Sequence, residues 1–339
     1  MRVSKTPEEG SIPSTPAREQ SSSQGLLFSK QKYMKKRNSL IEFYRFFFAM
    51  NVVKNHGYFP YQGSYFTPGR ISVEFFFVLS GWFLFKGIEK YMNLPFWKGL
   101  FSLIKNKLFV LGIPLVVGLI FNIPYKIIVG AENWWDISIW GYLWYVHDMF
   151  MVFIFYYTIR RFVKNNNWFI IITASVFVLS VILHSIPFFF SWGYFRAFSA
   201  MSCGILISFI PQIKMRRKWI LWIPLSCVML YILKIFLFNF TFVEEEILDY
   251  LLYPALIYLT FQFDISNAVL NYLGALSFGL YAYQSIPRLI NILGYDNTWV
   301  SFAIILSLTI ITDLVKRLLK RNKNKCIFKD VSKEITYNG

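Results

Sequence analysis

Arg45-Phe-Phe-Phe-Ala-Met-Asn-Val-Val-Lys-Asn-His56 decides how this chain reads, because it sets ionisable side chains inside a run that otherwise resembles a membrane-spanning helix. A charged residue in hydrocarbon costs several kcal/mol unless it faces a partner or a water-filled cavity. The interval of 11 residues from Arg45 to His56 makes about three helical turns. The two side chains therefore share a face, about 16 Å apart along the axis. Ala49 and Val52 lie between them, while Phe43, Phe46, Phe47, Met50 and Val53 cover the other faces. A slim stripe with a polar residue at each end reads as the wall of a site.

Working outward, the composition is that of a membrane protein. Hydrophobic residues make up 56% of the 339-residue chain and charged residues 16%, well below the share usual in soluble domains. Aromatics reach 20%, which suits interfacial belts of Trp and Tyr. The net charge of +17 does not form a nucleic-acid footprint: Lys and Arg fall in short blocks between apolar runs, and no zinc-finger spacing is present. Cys203, Cys227 and Cys326 are scattered, so neither a disulfide framework nor a metal cluster is indicated. Residues 1–37 are polar and rich in Ser, Pro, Lys and Gln, a composition expected to be disordered. They show no cleavable signal peptide, and residues 319–339 read as a second solvated tail.

Apolar runs of membrane-crossing length occur at 39–58, 71–88, 108–129, 140–159, 168–186, 196–211, 219–238, 247–263, 273–292 and 298–316. The expectation is an all-α polytopic bundle of about ten transmembrane helices spanning 38–318. The sixth run is rich in small residues (Ala200, Ser202, Cys203, Gly204), which favour close helix packing in lipid. Loops at 86–107, 160–164 and 214–218 are basic, whereas the alternate loops hold Glu132 and Asp136, then Glu244–Glu246, then Asp296. By the positive-inside rule both termini are cytoplasmic.

That orientation sorts the polar residues by depth. Arg45 lies towards the cytoplasm with Lys105 and Lys107. His56, Glu74, His147, Asp148 and Gln284 belong to the outer half. Histidine is the usual general base near neutral pH, and Glu74 or Asp148 can orient an imidazole. Arg45, Lys105 and Lys107 suit the phosphates of a donor entering from the cytoplasm, with a hydroxyl acceptor meeting its reactive group in the outer half. Plainer readings exist for each residue. Glu74 can pair with Arg70 one turn back, His147 and Asp148 can be an interfacial pair, His184 reads as structural, and the Phe-rich stripes read as lipid-facing bulk.

The Arg45-x10-His56 helix, followed by Val73-Glu-Phe-Phe-Phe-Val-Leu-Ser-Gly81, resembles the opening signature of the acyltransferase 3 family of integral membrane acyltransferases. Gly141-Tyr-Leu-Trp-Tyr-Val-His-Asp148 resembles that family's middle Leu-Trp-Tyr/Phe-Leu stretch, and Ser277 to Pro287 its late Ser, Tyr, His, Pro pattern. The resemblance covers residues 37–316. It implies transfer of an acyl group, usually acetyl, from acyl-CoA (acetyl-CoA) as co-substrate to a hydroxyl of a surface glycan or lipid-linked sugar, with no metal. It also implies residence in the bacterial cell (inner) membrane, among membrane lipid. Carried over, Arg45 and His56 match the essential pair, Ser80 and Gly81 a packing motif, and Glu74 a commonly polar position that joins them as a catalytic candidate. His147, Asp148 and Gln284 become acceptor-binding candidates. Two departures are visible: Lys105 and Lys107 stand where many members carry an Arg-x-x-Arg before Pro114, and Gln284 replaces the late histidine, so it cannot act as acid or base. The competing expectation is an exporter of glycan or lipid-linked sugar, which should show inverted repeats; none is evident. A scaffold role would leave His56 dispensable.

Overall fold

The structure is a computed structural model that describes residues 38–55, 69–128, 130, 144–185, 192–211, 225, 226, 229, 242–263, 265–283, 286, 289, 290, 294 and 297–337. Among the described residues the regular structure is helical throughout, with no strand. The helices are α1 (Ser39–Asn55), α2 (Gly69–Glu89), α3 (Phe96–Ile128), α4 (Trp144–Phe162), α5 (Asn166–Ser185), α6 (Trp192–Ser208), α7 (Phe242–Thr260), α8 (Ala268–Ala282) and α9 (Thr298–Tyr337). Each overlaps one expected apolar run. The run at 219–238 lies outside the described residues except at 225, 226 and 229.

Asparagine starts several of these helices. The Asn38 Oδ1 accepts from Leu40 N at 3.0 Å, that of Asn165 from Asn167 N at 2.8 Å, that of Asn267 from Val269 N at 2.9 Å and that of Asn297 from Trp299 N at 2.9 Å. Each cap satisfies an amide the first turn cannot, worth about 1 kcal/mol. Asn38 does more, because its Nδ2 donates to Thr260 O and Phe263 O and so ties the start of α1 to the end of α7.

Among the described residues, three helices are long and apolar enough alone to cross a membrane: Leu111–Ile128 of α3, Asn166–His184 of α5 and Thr298–Leu319 of α9. They are also sparsely buried, as helices facing hydrocarbon should be. α2 packs most extensively on α6, α1 on α8 and α5 on α6. Glycine sets the α2–α6 approach: a Cβ on Gly81 would strike the Met201 carbonyl, and one on Gly204 the Val78 carbonyl. The small-residue character of the sixth run thus has its partner in the Ser80-Gly81 step of α2.

Two expectations change. The 86–107 stretch is not one loop: α2 runs to Glu89, and α3 opens at Phe96 with the Pro95 carbonyl accepting from Gly99 N at 2.8 Å. At 1.5 Å per residue, the 33 residues of α3 reach about 50 Å, more than the hydrocarbon thickness. Lys98, Lys105 and Lys107 therefore ride a helical extension before the span. Nor is every Phe stripe lipid-facing bulk. Phe75 and Phe77 are fully buried, Phe75 stacking on Phe48 at 4.3 Å with Tyr253 edge-on to both. Lipid tails and a protein core are equally apolar, so interhelical shape rather than hydrophobicity decides which ring goes inside.

Candidate functional site

The α1 stripe faces the bundle. Ala49 is fully buried and Val52 nearly so. Arg45 is half-buried, and its Nη1 donates to Glu42 Oε2 at 2.8 Å, one turn away on the same helix. Glu42 is itself buried, because α8 crosses α1 at Gly274, where any Cβ would collide with the Glu42 side chain. Gly274 thereby fixes the acid that holds the arginine.

From α3, Lys107 points the same way. Its Nζ sits 5.1 Å over the Phe153 ring of α4, a cation–π contact that supports a charge with few water neighbours. Burial first, then the positive charges of Arg45 and Lys90, pulls the Lys107 ammonium below the ordinary lysine value. Lys105 is exposed. Two residues on, the α-helix has turned about 200°, so Lys107 comes within electrostatic reach of Arg45 while Lys105 stays exposed.

α4 carries the line onward. Tyr145, Met149 and Phe153 repeat every four residues and face inward. Tyr145 is buried and within electrostatic reach of Arg45. Ser80 Oγ lies 3.5 Å from its hydroxyl and 3.7 Å from Met149 Sδ. One helix face thus runs from the Arg45–Lys107 group to the turn that bears His147 and Asp148.

There the polar residues fall into two sets, both completed by α6. Glu74 is 1% exposed, and its Oε1 accepts from Arg196 Nε at 2.6 Å. This is an ion pair across the α2–α6 interface; the Arg70 side chain lies outside the described residues. The second set is His147, Asp148 and Tyr194. The Asp148 carboxylate is buried, its Oδ1 lies 3.0 Å from His147 Nδ1, and the Tyr194 hydroxyl lies 3.1 Å from the same nitrogen. His147 and Asp148 thus form a pair, as the sequence reading allowed, but the pair has a third member.

His56 and Gln284 lie outside the described residues. Arg196 and Tyr194 are functional candidates that the sequence reading did not single out. Arg196 carried a usable signal, a lone arginine entering an apolar run, for which a buried partner is the default expectation. Tyr194 carried none, since a tyrosine at the start of a span is ordinary interfacial furniture.

Residues 38–315 match the acyltransferase 3 family model, described as an acyltransferase domain, over most of the chain. No curated protein and no solved structure matches. The chain belongs to the acyltransferase 3 family, and family membership together with its apolar helices makes it an integral membrane acyltransferase.

Proposed function

We propose that the protein moves an acyl group, acetyl in the first instance, from acyl-CoA to a hydroxyl of a cell-surface or exported glycan, or of its lipid-linked precursor. The membrane domain spans residues 38–318 in about ten helices with both tails cytoplasmic, in the inner membrane of a bacterial cell. The observation that supports this reading is that Lys107 lies within electrostatic reach of Arg45, an ammonium and a guanidinium that feel one another's charge. That pairing suits the phosphates of a nucleotide donor, and the basic blocks near it suit entry from the cytoplasm.

In the transfer, His56 takes the proton of the acceptor hydroxyl as its oxygen attacks the thioester carbonyl. The C–O bond forms, the C–S bond breaks, and the CoA thiolate leaves with a proton returned by the imidazolium. A hydroxyl is a poor nucleophile until deprotonated, and general-base help is worth about two to four orders of magnitude. His147 and Asp148 serve the acceptor side together with Gln284. Glu74, committed to Arg196, acts as an anchor of the wall rather than as the proton acceptor.

The test is His56→Gln in cells, read by mass spectrometry of surface glycans with membrane abundance measured alongside. O-acyl content is expected to fall about a hundredfold or more at unchanged abundance. Normal ester content in that variant overturns the assignment of His56. Purified protein in detergent should also hydrolyse acetyl-CoA slowly; a preparation that neither binds nor consumes acyl-CoA overturns the donor class.

A further inference from the structure

The turn between α2 and α3 is pinned by α4, yet it presents a lysine to solvent. At its start Glu89 Oε1 accepts from Arg160 Nε at 2.7 Å. The Met92 carbonyl accepts from Nη1 of the next α4 residue, Arg161. At its end the Phe96 carbonyl accepts from the Tyr157 hydroxyl at 3.1 Å, beside Gly99, where any Cβ would strike that hydroxyl. Within the turn, Tyr91 N donates to Ile88 O at 2.8 Å and Leu94 N to Tyr91 O at 3.1 Å. A further tie comes from α3, where Asn106 Nδ2 donates to the Tyr91 hydroxyl. The sequence neighbours of that bonded pair are Lys90 and Lys107, so one hydrogen bond draws together the two segments that carry these lysines. Lys107 accordingly feels the charge of Lys90 as well as that of Arg45. The acids on these segments are committed, Glu89 to Arg160 and Glu42 to Arg45. Lys90 itself is exposed, whereas Lys107 is half-buried.

Resting on the acyl-CoA reading, we propose that Lys90 is a donor-binding residue that takes the phosphomonoester on the ribose of coenzyme A, and that it makes the site prefer acyl-CoA over thioesters lacking that group. Coenzyme A carries two separate anionic groups: a diphosphate within its chain, and a phosphomonoester on the ribose at the end remote from the thioester. With Arg45 and Lys107 on the diphosphate and the thioester directed into the bundle, the nucleotide end is left at the α2–α3 turn. A phosphomonoester carries a charge of roughly −1.5 to −2 near neutral pH. An exposed ammonium meets it as a point charge with three donors, without the desolvation cost of a buried pair. The bonds to Arg160, Arg161 and Asn106 hold the backbone on either side of Lys90, so binding orders little more than one side chain.

The experiment measures steady-state hydrolysis of acetyl-CoA and of acetyl-dephospho-CoA, which differ by that one phosphate, using the full chain purified in detergent. The native chain should show a KM about three- to tenfold lower for acetyl-CoA, between the values of an exposed ion pair and a charge-assisted hydrogen bond. Lys90→Gln should raise the KM for acetyl-CoA to that of the dephospho compound. It should leave kcat and the dephospho KM unchanged, because a contact so far from the thioester binds ground and transition states alike. Lys90→Arg keeps the charge and should keep the preference. Lys98→Gln is the control: Lys98 is exposed and precedes Lys107 by about two and a half helical turns, which sets it on the opposite face of α3. A native chain that treats the two thioesters alike overturns the proposal. So does a Lys90→Gln variant whose two KM values rise in parallel, since the turn would then serve the fold alone, and so does loss of the preference in Lys98→Gln. A native chain that consumes neither thioester sinks the acyl-CoA reading itself, and the role of Lys90 with it.

Discussion

Glu74 on α2 and Arg196 on α6 are joined by a 2.6 Å Nε–Oε1 contact, with side chains 1% and 7% exposed. Neither charge has bulk water to fall back on, and a buried pair behaves asymmetrically under mutation. Losing one partner strands the other, at a cost of about 3–5 kcal/mol, whereas replacing both with apolar groups of similar volume is often close to neutral. Glu74→Leu or Arg196→Met alone should lower the melting temperature of the purified protein sharply, and the double variant should recover most of the loss. Thermal unfolding in detergent checks this, and singles as stable as the native chain would show that the pair does not carry the interface.

The same interface depends on the absence of side chains at Gly81 and Gly204. Because a Cβ at either would enter a main-chain carbonyl of the facing helix, relief requires backbone movement rather than a rotamer change. Gly81→Leu should cost about 1–3 kcal/mol or more and reduce folded protein in the membrane, read by size-exclusion chromatography after extraction. Gly112→Ala is the matched control, since nothing lies within 4 Å of a Cβ there.

Arg45 offers a forked, permanently charged donor beside Glu42. Arg45→Gln should raise the KM for acetyl-CoA about ten- to a hundredfold, the range for one charge-assisted hydrogen bond. Arg45→Lys keeps the charge and loses the fork, so partial recovery is expected. Steady-state acetyl-CoA hydrolysis measures both, and an unaltered KM in Arg45→Gln would remove the arginine from the donor site.

Lys107 gives this site a pH signature. Burial and two neighbouring cations lower its pKa, so the ammonium is lost at a lower pH than an ordinary lysine would lose it. If that charge holds donor phosphate, the KM for acetyl-CoA rises on the alkaline side as the proton leaves. Lys107→Arg stays protonated throughout and should flatten the alkaline limb, while Lys105→Arg should leave it in place. A limb unchanged in Lys107→Arg assigns the titration to another group.

The inward turn of the α1 stripe was legible because a charge in an apolar run has few tolerable surroundings, and Ala49 and Val52 sit buried as that argument requires. The close α2–α6 contact was half legible: the small residues of α6 announced a tight neighbour without saying which. The separation of Lys105 from Lys107 follows from helical pitch, yet the two lysines read as a pair until α3 was seen to be helical through both. The rings of Phe75 and Phe77 were misplaced because lipid and core solvate a phenyl group equally well, leaving hydropathy nothing to discriminate. His56 and Gln284 lie outside the described residues, so the stripe can be followed from the Arg45 end only.

By itself the sequence determined the class of molecule: a helical membrane bundle whose few internal charges must turn inward, with an acyltransferase signature along its opening helices. The bundle and its inward charges need only local quantities, namely run length, helical period and the cost of a charge in hydrocarbon, whereas the acyltransferase signature rests on likeness to the family's motifs. The tertiary structure alone decided the partners, giving Arg196 to Glu74 and Tyr194 to His147 and setting Lys107 within electrostatic reach of Arg45. Side chains far apart in the chain meet only when helices lock at specific glycines, and that registry is set by the shapes of two surfaces at once, which neither segment encodes alone.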